Sequence, residues 1–181
     1  MNKHFFTLLL IAILLCKAGN SHAQTIIING EKINRSLRWA DFTGNPDNNT
    51  DLFAYTYWYV RYSWGPFNFR GDTVKWKVDV TLELEKRSWQ KAEKVSDSLL
   101  AHEQGHFNIG LLFARPLQKR VNNTVFFRHN YEARIAEIFN EELEKFKQLE
   151  IKYDQETDHF TNREQQQKWD AYFKKALSEK N

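Results

Sequence analysis

The stretch Ser98–Arg115, "SLLAHEQGHFNIGLLFAR", constrains the fold more than any other part of the chain. On a helix advancing about 100° per residue, Val95, Leu99, His102, His106, Ile109 and Phe113 share one narrow arc. Leu100, Phe107, Leu111 and Ala114 form a second apolar group beside it, and Gln104, Asn108 and Arg115 are left with a thin polar strip. A helix that is apolar on most sides has to be covered on most sides, so these residues predict a central helix over roughly Ser96–Ala114. Both histidines aim into its packing, and Glu103 sits between the two apolar groups. Polar groups placed there need partners that hydrocarbon does not supply.

Strands come before this helix and helices follow it. Val74–Leu84 alternates strictly, with Val74, Trp76, Val78, Val80, Leu82 and Leu84 on one face and Lys75, Lys77, Asp79, Thr81 and Glu83 on the other. Such alternation predicts an antiparallel sheet with one buried and one wet face. Leu52–Trp64 is aromatic and β-branched enough for a second strand, and its aromatic run from Tyr55 to Trp64 reads as sheet core. Thr25–Asn29 reads as a short strand and Thr43–Asp51 as a polar loop. Gly105 weakens a helix by about 1 kcal/mol relative to Ala, which suggests that a strand or a substrate passes close by. Pro116 is expected to end the first helix, with Lys119–Asn123 as the connection. A second helix is expected over about Thr124–Ile151, with Tyr131, Ile135, Ile138, Phe139, Leu143, Phe146 and Leu149 at helical spacing. A third follows a capping box, Thr161 to Glu164, and is expected to bury Trp169, Tyr172, Phe173, Ala176 and Leu177.

The start of the chain reads as a secretory signal. Basic Lys3 and His4 precede the apolar run Phe5–Leu15, and Ser21-His22-Ala23 offers a cleavage site, so residues 1–23 are expected to be removed and the mature domain to cover 24–181. The run holds 11 residues against the ~20 a span requires, so no membrane span is expected. Cys16, the single cysteine, falls in the signal, which leaves the mature chain without thiol, disulfide or cysteine ligand. A lipid anchor on Cys16 is the alternative, but Leu15 stands where a small residue normally precedes such a cysteine. The signal holds two of the 26 basic residues and none of the 23 acidic ones, which leaves 24 against 23. With no basic block left over, nucleic acid is not an expected partner. The mature chain suits one domain exported to the periplasm or the medium.

His102-Glu103-Gln104-Gly105-His106 supplies the partners that the buried polar groups need. Imidazoles at i and i+4 lie one turn apart on one helix face and can take two positions around a tetrahedral zinc ion, Zn2+. Zinc lowers the pKa of water in its open position, and Glu103 beside His102 is placed to take a proton as general base. The alternative is a pair of core histidines bonded to backbone or carboxylates. A third protein ligand is required. Among the remaining residues, Glu142 falls in the middle of the second helix's apolar stripe, and Asp154 and His129 are further candidates.

"LLAHEQGHF" resembles the signature of the bacterial domain-of-unknown-function family nine-two-two, whose members are regarded as exported zinc-dependent proteases. "LRWADFTG", Ser88-Trp89 and "YDQETDHF" agree in the same order, so the resemblance spans roughly Leu37 to Trp169. The last segment is similar to the family's Tyr-Asp-x-x-Thr-x-His-Gly and implies His159 as third ligand, with Phe160 where the family has glycine. In the same segment Tyr153 and Asp154 are candidates to polarise a substrate carbonyl or to hold a ligand imidazole from behind. The expected fold is α+β and zincin-like, an antiparallel sheet packed on the metal-bearing helix, with an edge strand that aligns an extended peptide. The expected activity is hydrolysis of a peptide or protein substrate, with Glu103 and Tyr153 catalytic and His102, His106 and His159 on the metal. Two alternatives stand beside it: a non-catalytic, zinc-stabilised binding or envelope module, and zinc hydrolysis of a non-peptide amide.

Overall fold

The computed structural model describes residues 25–75 and 77–178. The expected signal at 1–23, with Cys16 and the cleavage point after Ala23, lies outside the described residues, as does Trp76. The strands are β1 (Thr25–Ile28), β2 (Glu31–Lys32), β3 (Ala54–Tyr55), β4 (Trp58–Trp64), β5 (Asn68–Arg70), β6 (Thr73–Lys75), β7 (Val78–Leu84), β8 (Trp89–Gln90) and β9 (Phe126–Phe127). The helices are α1 (Asp97–Asn123), α2 (Tyr131–Thr157) and α3 (Arg163–Ser178). The class is α+β, as expected.

The main sheet has the order β2-β1-β7-β4. β7 buries Val78, Val80, Leu82 and Leu84, the apolar face its alternation marks. The sheet is mixed, however, and this corrects the antiparallel expectation: β4 is antiparallel to β7, with Trp58 opposite Leu84 and Trp64 opposite Val78, whereas β1 runs parallel to β7. Period-two alternation tells which face is buried and is silent on direction; the long excursion between β1 and β7 leaves room for a parallel crossover. Both long strand readings are also divided. After Tyr55 the chain leaves β3, which pairs with β8, and enters β4 at Trp58, while β6 pairs with β5 and β9 instead of continuing as β7.

α1 is the central helix that its apolar surround predicts. One side packs on the sheet, where Phe107 and Leu111 join Leu82, Leu84 and Ile28, while Phe113, Leu117 and Val121 meet Val78, Val80 and Ile138 of α2. The other side meets α2 and α3, with Ile109 against Tyr153, Trp169 and Phe173. Gly110 lets the helix lie close on the sheet, because a Cβ there would stand 2.8 Å from Leu82 Cδ1 and 2.9 Å from Trp58 Cδ2.

The helix starts as expected, with Ser96 accepting a hydrogen bond from the Leu99 N–H at 3.1 Å. It does not stop at Pro116 but runs on to Asn123. The residues beyond the proline are anchored: Leu117 and Val121 are buried, Gln118 Oε1 accepts from the Val80 N–H, and the Asn122 side chain bonds both the N–H and the C=O of Val78. These contacts outweigh the missing N–H of an exposed Pro116. α2 correspondingly starts at Tyr131, after β9, and reaches Thr157. The expected capping box of α3 does not form. Asn162 Oδ1 accepts from the Gln165 N–H, Thr161 turns back to bond Asp158, and Glu164 pairs with Lys168. Of the residues expected in the α3 core, Trp169 and Phe173 are buried while Tyr172 is exposed.

Candidate metal centre

α1 presents His102 and His106 on one face, and the C-terminal end of α2 lies across them. His102 Nε2 and His106 Nε2 are 3.2 Å apart. Asp154 Oδ1 lies 3.2 Å from the first and 3.1 Å from the second, and His159 Nδ1 lies 3.5 Å from the same oxygen. His102, Asp154 and His159 each offer a ligand atom within 4.8 Å of the others. Asp154 Oδ1 is itself buried, and no donor among the described residues is aligned with it for a hydrogen bond.

The groups behind the imidazoles settle how the rings face. His102 Nδ1 lies 3.3 Å from Gln166 Oε1 and 3.3 Å from Thr157 Oγ1. The Gln166 amide NH2 is committed to Asp170 at 2.9 Å, and the Thr157 hydroxyl donates to the Tyr153 carbonyl at 2.6 Å. Both neighbours therefore present acceptors, so Nδ1 carries the proton and Nε2 turns its lone pair to the cluster. His106 Nδ1 faces the Glu150 carboxylate, whose other oxygen accepts from Trp58 Nε1 at 3.0 Å, and its Nε2 is directed the same way. Burial by itself lowers the His106 imidazole, but the Glu150 charge, Asp154 and Glu103 outweigh it and raise it well above the usual range. Burial likewise pushes the Asp154 carboxyl up, and the two imidazoles overcome this and hold it well below the usual carboxylate range. The pocket thus favours a positive charge among these atoms.

Glu103 is 3 % exposed, its Oε2 accepts from the Thr56 hydroxyl at 2.6 Å, and it lines a cleft of about 770 Å³ together with His102, His106, Asp154 and His159. The opposite wall comes from the segment Thr50–Trp58, so Tyr55, Tyr57 and Trp58 of the aromatic run flank the cleft instead of serving only as sheet core.

Tyr153 stands differently from its expected catalytic place. It is fully buried behind α1, its ring is stacked on His102 at 4.8 Å, and its hydroxyl donates to the His102 carbonyl at 3.0 Å while accepting from Gln166 at 2.9 Å. Burial pushes its phenol well above the ordinary value, so it acts as a neutral support for His102 and does not line the cleft. Gly105 exists for this ring: a Cβ at 105 would overlap the Tyr153 hydroxyl and stand 2.9 Å from Cε1. What passes close to Gly105 is therefore a side chain of α2, neither strand nor substrate.

The rivals for the third ligand separate clearly. Glu142 is buried but paired with Arg120 at 2.7 Å and Lys145 at 3.0 Å, far up α2 from the cluster. His129 is exposed and sits 3.9 Å from Asp72 after β9. Asp154 joins both histidines, and the exposed His159 stands beside it. His159 belongs to three successive residues of left-handed backbone, Asp158 at φ 47°, His159 at φ 48° and Phe160 at φ 86°. Phe160, where the resemblance has glycine, therefore occupies a conformation that favours glycine. Thr56, Glu150 and Gln166 were not singled out from sequence. Gln166 alone left a trace there, at helical spacing with Trp169 and Phe173.

The chain belongs to the family described as bacterial protein of unknown function (DUF922), which matches residues 24–160. Comparison with curated proteins and with solved structures gives no match.

Proposed function

We propose that this protein is an exported, zincin-like zinc metallopeptidase, with His102, His106 and Asp154 as metal ligands and His159 within reach of the same ion. One observation carries the reading: three ligand atoms, His102 Nε2, His106 Nε2 and Asp154 Oδ1, form a triangle with edges of 3.1–3.2 Å, and the Asp154 oxygen has no hydrogen bond among the described residues. Tetrahedral ligands at about 2.0–2.1 Å from zinc stand roughly 3.3 Å from one another, so the donor set fits. Two imidazole nitrogens and a carboxylate oxygen this close need positive charge among them, supplied by a metal ion or, without one, by a proton held on His106.

Bound there, zinc supplies a Lewis acid that polarises a carbonyl and acidifies water. The chain's own part follows from the geometry. Glu103, held by the Thr56 hydroxyl, faces the cleft beside His102 and is placed to accept a proton at its carboxylate and to return it to a leaving amine. Gln166, Thr157 and Glu150 keep the imidazoles in the ligating tautomer. Glu103 distinguishes this reading from a zinc-held binding module, since a purely structural site gains nothing from a buried carboxylate at the cleft. The test is metal content and hydrolysis of casein or a peptide library by wild type and Glu103→Gln. Equal zinc in both, with turnover in the variant reduced by about 10² to 10⁴, is expected. Equal turnover would refute the role of Glu103, and a His102→Ala, His106→Ala double variant that retains wild-type zinc would refute the centre.

A further inference from the structure

We propose that the cleft selects substrate segments that carry lysine or arginine, an inference that rests on the peptidase reading of the same site. Among the described residues, Asp51, Glu103, Glu150, Asp154 and Asp158 line the cleft, five carboxylates, with no lysine or arginine beside them in its lining. A dication at the centre offsets two of the five charges and leaves about three. The C-terminus of α2 also ends at the cleft with no basic residue in its last turn, and Asp158 at its C-cap adds a carboxylate to the negative pole of the helix.

This charge is local. The whole chain carries 26 basic and 23 acidic residues, so the negative field of the cleft does not reflect the composition. Its walls are partly apolar, with Leu52, Phe53, Tyr55, Ile151 and Phe160, and low-dielectric walls concentrate the field on whatever enters. The aromatic faces also accept cations. On this segment they already do: the Lys94 ammonium lies 5.3 Å from the Phe53 ring and the Arg87 guanidinium 4.0 Å from the Tyr57 ring, although neither cation lines the cleft. Glu103, Glu150 and Asp154 are engaged at the centre, whereas Asp51 and Asp158 are exposed at the rim, where they can meet substrate charge, Asp158 while it accepts from the Thr161 hydroxyl.

The experiment uses the zinc-loaded full mature chain bearing Glu103→Gln, so that binding is read without turnover. Two fluorescein-labelled peptides of equal length and equal apolar content are compared by anisotropy, one with two lysines and one with glutamates in their places. The basic peptide is expected to bind about tenfold more tightly at low ionic strength, with the preference shrinking in 0.5 M salt. Adding Asp51→Asn and Asp158→Asn is expected to remove most of the preference while zinc content stays the same; asparagine tolerates the left-handed backbone at 158. Equal binding of the two peptides, or a preference that survives the double substitution, overturns the proposal. Wild type that cleaves neither peptide although Glu103→Gln still prefers the basic one refutes the peptidase reading and upholds the charge selection. Equal cleavage of both does the reverse.

Discussion

Replacing Gly105 by alanine separates local from tertiary effects in the helix that carries the centre. By helix propensity alone the change stabilises α1 by about 1 kcal/mol. Tertiary packing says the opposite. The new Cβ would overlap the hydroxyl and ring of Tyr153, which is fully buried, stacked on His102 and hydrogen-bonded to the His102 carbonyl and Gln166, so it has no open side to move toward. Forcing a methyl into such a site costs about 1–3 kcal/mol. Displacing the hydroxyl strands buried partners for a further ~1–3 kcal/mol. Against the propensity gain, the net is a destabilisation of about 1–5 kcal/mol. For a domain of this size each kcal/mol lowers the Tm by about 2–4 °C, so thermal melts followed by circular dichroism are expected to shift down by roughly 2–20 °C. Combining Gly105→Ala with Tyr153→Leu is expected to cost less than the sum of the two single changes, because the overlap is gone. A Gly105→Ala protein as stable as wild type, or strictly additive costs in the cycle, would refute the reasoning.

Gln166→Leu removes the acceptor behind His102 and is expected to weaken zinc binding about 10- to 100-fold in a chelator competition, with the far-ultraviolet spectrum unchanged; wild-type affinity would count against the support role. Pro116→Ala restores a helical N–H at an exposed position and is expected to stabilise the fold by about 1–3 kcal/mol in urea, whereas a loss would show that the proline is needed where it stands. Phe160→Gly relieves a residue at φ 86° but forfeits the ring contact with Phe53 at 6.0 Å, so stability is expected to change by less than about 1 kcal/mol, and a large loss would show that packing dominates. Asp41 accepts from Arg35 at 2.7 and 2.8 Å and from the Arg38 N–H at 2.7 Å; burial pushes its carboxyl up, but these partners hold it below the usual value. Its contribution is therefore present above the unfolded-state pKa of about 3.9 and is lost as pH falls through the lower folded value, so Asp41→Asn is expected to lower stability at pH 7 and to flatten the acid limb of a stability profile.

Much of this protein follows from local pattern. The apolar surround of Leu99–Ala114 demands a covered helix, the i and i+4 spacing of His102 and His106 puts both on one face of it, and the alternation of Val78–Leu84 picks the buried face of the central strand. These features repeat with the period of the backbone, so a reader of the sequence sees them without knowing the partners. The partners are what tertiary structure alone decides. Direction and pairing of strands depend on where distant segments arrive, which is why β1 lies parallel to β7 and the aromatic run breaks at Thr56 to place a hydroxyl on Glu103. The helix passes Pro116 because Gln118 and Asn122 find β7. Glu142 and Asp154 share α2 and are both candidates in sequence, with Glu142 the more conspicuous on its apolar stripe, yet twelve positions separate them along the rod, so one meets Arg120 and the other meets two histidines. Spacing within one helix fixes which side chains share a face, and only the packing of helix on helix determines which of them meet at a point.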